Sequence, residues 1–221
     1  MANELDEMTA PVNEAGRDTH VIEKQLSPKT GAGSVIFEVI LWVLGIIPGV
    51  IFLFVKMGAT NYLSKLQQKV NHDASQIDNY LEQRVQILKN AAKLLDKSIK
   101  LDKDTFTDIA KLRSGNVNPD EARINEARAI EEVNRKINIA VENYPNIKAH
   151  QEIEDAMQQN AYLQKEITAA REAYNDTVLE WNGAIFAWPS KKIVAAKKGY
   201  TTRIPFSIDA ATRQQARGDF F

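Results

Sequence analysis

Hydrophobic positions are densest near the beginning of the chain. Residues Ser34–Val55 read SVIFEVILWVLGIIPGVIFLFV, and Glu38 is the single charged residue among them. At about 1.5 Å rise per residue, a helix of this length would extend roughly 33 Å, which is enough to cross the hydrocarbon core of a bilayer. The pattern therefore predicts a transmembrane helix over residues 34–56, with Pro48 beside Gly49 as the candidate position of a kink. A core helix of a soluble protein is the alternative, but such helices are usually shorter.

A cleaved secretory signal fits this segment less well than an anchor does. Such signals have a basic start and an apolar core of about 7–15 residues. Here 33 residues come before Ser34, and they contain six acidic and three basic side chains. We therefore expect residues 1–33 to form an acidic N-terminal tail that precedes a permanent membrane anchor.

An amphipathic pattern follows from Tyr62 onward. Its apolar members recur at steps of three and four, which places them on one face of a helix. No Pro or Gly occurs within Ala59–Ser114, so this first helix is expected to continue to about Arg113, with a break near Leu101–Asp104 as the alternative. The apolar face consists of Leu63, Leu66, Val70, Ala74, Ile77, Leu81, Val85, Leu88, Ala92, Leu95 and Ile99.

Two turn motifs divide the rest of the bundle region. Gly115 suits the end of the first helix, and Asn118 followed by Pro119 suits the start of a second helix that runs to about Glu142. Residues 144–146 form the next turn, and a third helix is expected over about Lys148–Phe186. The fold class is therefore all-α: an N-terminal transmembrane helix followed by an up-and-down antiparallel bundle of three to four long helices, over residues 57–200.

Composition and motifs exclude several kinds of chemistry. Cysteine is absent, which rules out disulfides, zinc–thiolate sites and thiol catalysis, and the net charge of −1 provides no general attraction for nucleic acid. The three histidines, His20, His72 and His150, lie in different segments, and no Gly-rich phosphate loop or Ser-His-Asp arrangement is present. Asn160 is the one obvious polar residue on the predicted inner faces. We expect no enzyme activity, no cofactor or metal, no small-molecule substrate and no nucleic-acid partner.

Two features of the apolar segment bear on contacts inside the bilayer. Gly45 and Gly49 form a G-x-x-x-G pattern, which permits close helix–helix packing in lipid and predicts self-association there. Glu38 lies about one turn inside the membrane, where a carboxylate is costly. We expect it to reach the headgroups, with a contact to another copy as the second choice.

The C-terminal region is basic. Residues 190–221 contain seven basic and two acidic side chains, and residues 201–221 are predicted to form an irregular basic tail. A short helix next to a tryptophan could lie on anionic headgroups or could simply cap the bundle. The candidate lipid-contact residues are Trp188, Lys191, Lys192, Lys197 and Lys198.

Several segments resemble the LemA family. YPNIKA at Tyr144–Ala149 is similar to its Y-P-[D/N]-[L/I]-K-A turn, and Ala170–Asn175 with Val178 and Asn182 is similar to its A-R-x-x-Y-N-x-x-V-x-x-[Y/W]-N helix. Residues 189–195 resemble the end of its motif set. One departure is Lys89, which stands where the family's first helix usually has a proline.

The resemblance implies a location and a class of function. It implies a bacterial inner-membrane protein with one spanning helix and a cytoplasmic helical bundle, whereas the charges flanking the anchor are balanced and do not decide its orientation. No enzyme activity is established for the family, so no catalytic residues are carried over. One branch is linked to membrane shaping, and members often lie near genes of membrane metalloproteases.

These patterns favour a structural function at a membrane. The leading hypothesis is a scaffold that self-assembles into homo-oligomers and organises or remodels the lipid bilayer. The alternative is a membrane-anchored adaptor that presents its bundle to an envelope protease or another membrane partner.

Overall fold

The computed structural model describes residues 25–95, 118–143 and 151–206. Helix dominates this part of the chain and no strand occurs in it, which confirms the predicted all-α bundle fold. The helices are α1 (Ala32–Val43), α2 (Ile46–Leu94), α3 (Pro119–Asn143), α4 (Gln151–Phe186) and α5 (Ser190–Lys198). They contribute to two compact units, and the boundaries fall after Asp73 in α2 and before Tyr174 in α4.

The apolar segment forms parts of two helices, in place of the single helix predicted over residues 34–56. The amides of Leu44 and Gly45 bond to carbonyls of the last turn of α1, and this closes the helix. Gly45 has φ of 135°, a conformation that residues with a side chain rarely adopt. Pro48 then lies in the first turn of α2, where its missing N–H costs nothing.

The two apolar helices fold back on each other. The rings of Phe37 and Phe52 meet edge-to-face with centroids 5.5 Å apart. Nearer the turn, the Cα of Gly49 lies against Trp42, so close that an added Cβ would come within 2.6 Å of the indole. Residue 37 lies next to residue 52 and residue 42 next to residue 49, so α1 runs antiparallel to the start of α2. We call residues 32–56 the apolar hairpin.

The first unit contains the apolar hairpin, α2 to residue 73, and the chain from residue 174 to 206. Its core follows the predicted faces of α2 and α4 and adds the inner face of α5. Asp73 is buried with Thr177, whose hydroxyl donates to the carboxylate at 2.6 Å. The buried apolar residues include Leu63, Leu66, Val70, Tyr174, Val178, Trp181, Ile185, Ile193 and Val194.

The second unit contains α2 from residue 74, α3, and α4 to residue 173. Here α2 and α3 run parallel, because Arg123 pairs with Asp78 and Glu131 pairs with Arg84 further along both helices. A direct antiparallel turn from α2 into α3, as expected for three helices, is incompatible with this alignment. α2 ends at Leu94, well before the predicted Arg113, and residues 96–117 lie outside the described part of the chain.

The third helix of this unit runs in the opposite direction. Tyr80 donates to Glu166, and the later residue Arg84 of α2 donates to the earlier residue Asn160 of α4. The predicted antiparallel packing of α4 against α2 is therefore confirmed. The buried faces agree with the predicted periodicity through Ile77, Ile130, Val133, Ile137 and Ile167.

The inner face of α2 differs from the prediction at two turns. Ala91 is buried in place of the predicted Ala92, and the larger difference is at Arg84. Arg84 is buried, with 1% of its surface exposed, whereas the neighbouring Val85 is only partly buried. The guanidinium reaches Asn160 at 2.8 Å and Glu131 at 2.9 Å. A buried charge is stable only with such partners, and these come from two other helices that the local pattern of α2 does not reveal.

Candidate membrane-contact site

The apolar hairpin carries the largest exposed hydrophobic surface among the described residues. Both arms and the turn present branched aliphatic and aromatic side chains to the outside. A soluble monomer rarely leaves a contiguous patch of this kind uncovered. The most exposed members are Val35, Ile36, Val43, Leu44, Ile46, Ile47, Ile51 and Phe54, which are 56–79% exposed.

One ion pair lies at the open end of the hairpin. The Lys56 ammonium is 3.0 Å from the Glu38 carboxylate and also lies 5.2 Å from the Phe52 ring centroid. Residues 39–55 carry no charge. Glu38 is thus paired within its own chain, and its reach to the headgroups stays a prediction. The pair removes an isolated carboxylate and leaves the rest of the hairpin free of charge.

Trp188 is brought to the same end of the hairpin. Its ring centroid is 5.1 Å from that of Phe37, and 58% of its surface remains exposed. Tryptophan is favoured at the headgroup level of membranes because its ring is apolar and its N–H is polar. The structure therefore places the predicted interfacial residue beside the first arm of the hairpin, although the two are far apart in sequence.

The four candidate lysines of α5 have different surroundings. The Lys191 ammonium lies 3.7 Å from the centroid of the Tyr62 ring, and Lys192 is half-buried. Lys197 and Lys198 are exposed in the last turn of the helix, where a cation interacts favourably with the helix dipole. The opposite face of α5 is buried, so the helix does cap the core, and Lys197 and Lys198 are its exposed cations.

Tyr62 joins α5 to α4 by polar contacts. Its hydroxyl donates to the Glu180 carboxylate at 2.8 Å. This hydrogen bond, with smaller effects of burial and of the Glu180 charge, raises the pKa of Tyr62 above its ordinary value. The Lys191 ammonium lies above the same ring, so Tyr62 contacts both a cation and a carboxylate on the surface.

The two glycines of the G-x-x-x-G pattern have different roles within one chain. Gly45 lies between the helices and makes the turn, while Gly49 allows α1 to approach α2 beneath Trp42. The close helix–helix contact expected at Gly49 is thus present inside the hairpin. Packing between copies through these residues stays a prediction.

Residues 201–206, the described part of the tail predicted to be irregular, have no regular secondary structure and are held in an extended path along α4. The Asn182 side chain accepts from the Arg203 N–H at 2.8 Å and donates to the Arg203 carbonyl at 3.0 Å. Asn175 makes the same pair of bonds with Phe206, at 2.6 Å and 2.9 Å. Each side-chain amide thus bonds to the N–H and C=O of one residue, as the backbone of a neighbouring β-strand would. Together, Asn175 and Asn182 fix the extended segment.

Two aromatic side chains of α4 complete this clamp. Trp181 donates its indole N–H to the Thr201 carbonyl at 2.9 Å, and the Tyr174 hydroxyl donates to the Ile204 carbonyl at 3.3 Å. We call the four side chains of Tyr174, Asn175, Trp181 and Asn182 the α4 clamp. Its members coincide with the motif positions singled out in the sequence, so those positions bind backbone groups of residues 201–206.

The clamped segment binds the chain that precedes the hairpin. The Thr202 N–H donates to the Leu26 carbonyl at 2.8 Å, and the Leu26 N–H donates to the Thr202 hydroxyl at 2.7 Å. Pro28 is buried nearby in sequence. The N-terminal approach to α1 is thereby fixed to the same structural unit as α5 and the end of α4.

A buried polar cluster occupies the interior of the second unit. Asn160 accepts from Arg84 and donates to Asn134 at 2.9 Å. The polar residue predicted on the inner face of α4 therefore has partners on both neighbouring helices. Burial, with repulsion from Arg84, lowers the pKa of Arg171 to about 10, and Glu131 partly counteracts this. Within the described ranges, no group of three or more His, Asp or Glu side chains could hold a metal ion.

The described structure defines a class of protein: a helical bundle carrying an apolar anchor. By length and composition, α2 is able to cross a membrane, and it is the one helix of the described chain that passes this test. The chain belongs to the LemA family, whose sequence profile matches residues 73–220. A comparison with curated proteins finds no match.

Two site residues escaped the sequence reasoning. Lys56 directly follows the apolar run and belongs to no motif, although its spacing from Gly45 equals one arm of the hairpin. The sequence signal for the hairpin was the occurrence of Gly45 and Pro48 three residues apart in the middle of the apolar run, because these residue types mark a turn as well as a kink. Thr202 gave no signal, because its partner Leu26 lies at the other end of the chain.

Proposed function

We propose that this LemA-family protein is a non-enzymatic scaffold that self-assembles at a membrane and organises or remodels the bilayer. The observation that carries the proposal is the exposed apolar hairpin joined to a packed helical bundle. Burying that surface in lipid would release about 25 cal/mol for each Å² covered, so a membrane is its favoured environment. We place the protein in the bacterial inner membrane with the bundle on the cytoplasmic side.

The interior of the bundle supports a structural function. Arg84 donates to Asn160 and Asn160 donates to Asn134, so the cluster ties α2, α4 and α3 together. The motif residues of the α4 clamp are likewise occupied by backbone groups. The LemA family is not a known enzyme family.

Electron microscopy of the detergent-purified protein and of liposomes that contain it tests the scaffold directly. Regular large particles in detergent, or tubes and coated vesicles in lipid, are the expected result. Particles of one or two chains in detergent, together with unchanged spherical liposomes at every protein-to-lipid ratio, would refute it.

Charge-reversal variants test whether α5 contacts lipid during this process. Lys197→Glu with Lys198→Glu reverses the two exposed cations of α5, and Arg135→Glu with Lys136→Glu is a matched exposed pair on α3. We expect the first pair alone to reduce remodelling of liposomes that contain anionic lipid, and neither pair to matter in neutral liposomes. Equal effects of both pairs would contradict a specific role of α5.

The adaptor function is the second candidate, and one observation favours it. Leu179 is 74% exposed on α4, in the unit that carries the hairpin. An isolated apolar side chain on a helical surface can serve as an anchor for a partner protein. Crosslinking from this position in native membranes would support the adaptor by capturing one stoichiometric envelope protease or other membrane protein, and would contradict it by capturing only further copies of this chain.

A further inference from the structure

The apolar hairpin has the dimensions of half a bilayer. α1 contains 12 residues, which corresponds to about 18 Å. The arm from Ile46 to Lys56 contains eleven residues, or about 16 Å. The hydrocarbon core of a bilayer is about 30 Å thick, so each arm matches one leaflet. α2 as a whole is long enough to cross both leaflets, but only with Lys56 and Asn61 inside the hydrocarbon core.

The polar groups of the hairpin lie where such an insertion requires them. Glu38 and Lys56 pair near the open end, whereas the chain between them carries no charge. Trp188 packs on Phe37 and remains more than half exposed, as expected for a side chain at the headgroup level. The turn itself exposes few polar groups, since the amides of Leu44 and Gly45 are bonded and Pro48 has no N–H.

The pairing of Leu26 with Thr202 decides on which side the N-terminal segment lies. If residues 34–55 crossed the bilayer as one helix, Leu26 would be on the face opposite to the bundle. The two hydrogen bonds to Thr202 could not then form, and neither could the Phe37–Phe52 and Glu38–Lys56 contacts. Four separate contacts within the same unit therefore require the chain to return to the side from which it entered.

We propose that the apolar hairpin inserts into a single leaflet, so that the N-terminal segment and the bundle lie on the same side of the membrane. Its occupant is the acyl-chain layer of that leaflet. A layer of lipid tails suits a surface that is apolar on both arms and at the turn, and whose one ion pair is already satisfied internally. This topology replaces the single crossing predicted from sequence length, and it stands whether or not the protein self-assembles.

Double-cysteine labelling tests the topology, because the wild-type chain has no cysteine. Ser27→Cys lies before the hairpin and Leu179→Cys lies on α4, and both positions are exposed. A protein with both substitutions is reconstituted in liposomes, treated with a membrane-impermeant maleimide and analysed by intact mass. The detergent-solubilised protein, in which both cysteines should react, is the control.

The labelling pattern separates the two topologies for any mixture of orientations. Same-side topology predicts molecules with two labels or none. A single crossing predicts molecules with one label, and this result would overturn the proposal while leaving the microscopy test of self-assembly unaffected.

A second pair of measurements tests the fold and the occupant of the hairpin. Phe37→Cys with Phe52→Cys should form a disulfide within one chain in liposomes, whereas on a continuous helix fifteen residues would separate these positions by about 22 Å. Lipids brominated on their acyl chains should quench the fluorescence of the wild type more than that of Trp42→Phe. Absence of both effects would overturn the proposal, because another surface would then cover the hairpin in place of lipid. An Ile47→Cys disulfide between chains, with no quenching of Trp42, would show that a second copy of this chain covers it.

Discussion

Removal of one amide from the α4 clamp should release the extended segment without unfolding the bundle. Asn182→Ala deletes both hydrogen bonds to Arg203, at 2.8 Å and 3.0 Å. The backbone groups of Arg203 are only partly buried, so water can replace the lost partner to some extent. A net contribution of about 0.5–1.5 kcal/mol for each bond gives a local loss of about 2 kcal/mol.

That loss can be converted into a rate of amide exchange. Since about 1.4 kcal/mol corresponds to a factor of ten in an equilibrium, local opening of residues 201–206 should increase by about 30-fold. Alanine is also a better helix former than asparagine by up to about 0.7 kcal/mol, so the helix itself gains. Global melting should therefore change little, and the effect should be confined to the segment.

Hydrogen–deuterium exchange followed by mass spectrometry provides the assay. Peptides covering residues 201–206 and residues near Leu26 should exchange faster in Asn182→Ala, because Thr202 carries the contact to Leu26. Asn79→Ala is the matched control, since Asn79 is exposed on α2 and only accepts from a neighbouring Gln83. Wild-type exchange of residues 201–206 in the Asn182 variant, or equal acceleration by both variants, would refute the reasoning.

Three further changes have defined outcomes. Gly49→Leu should disrupt the hairpin and increase proteolysis between its arms, whereas Gly58→Leu, where an added Cβ meets nothing within 4 Å, should not. Arg84→Met should lower the free energy of unfolding in urea by about 2 kcal/mol because it leaves the buried side-chain oxygen of Asn160 without its donor, and an unchanged denaturation midpoint would contradict this. Glu180→Gln should return the raised pKa of Tyr62 toward its ordinary value, so this phenol would ionise at lower pH in an absorbance titration, and an unshifted titration would disprove the assigned cause.

Local patterns predicted most of the helical structure. The three- and four-residue spacing of apolar side chains placed Leu63, Ile77, Ile137 and Ile167 correctly in the interior. This succeeds because a helix presents one face to its neighbours, whatever those neighbours are. The same spacing failed at Arg84, where burial depends on Asn160 and Glu131 in other helices, and it did not predict the end of α2 at Leu94.

The sequence by itself determined the helical class, the family, and the presence of an apolar segment long enough to enter a membrane. Only the tertiary structure decided the path of that segment, because Gly45 and Pro48 permit either a kink or a turn. Packing of Trp42 on Gly49 selects the turn. The helix α4 shows the same limit. Its resemblance to the LemA family singled out the residues of the α4 clamp, but only folding brought residues 201–206 against them. Contacts between residues distant in sequence leave no periodic signal.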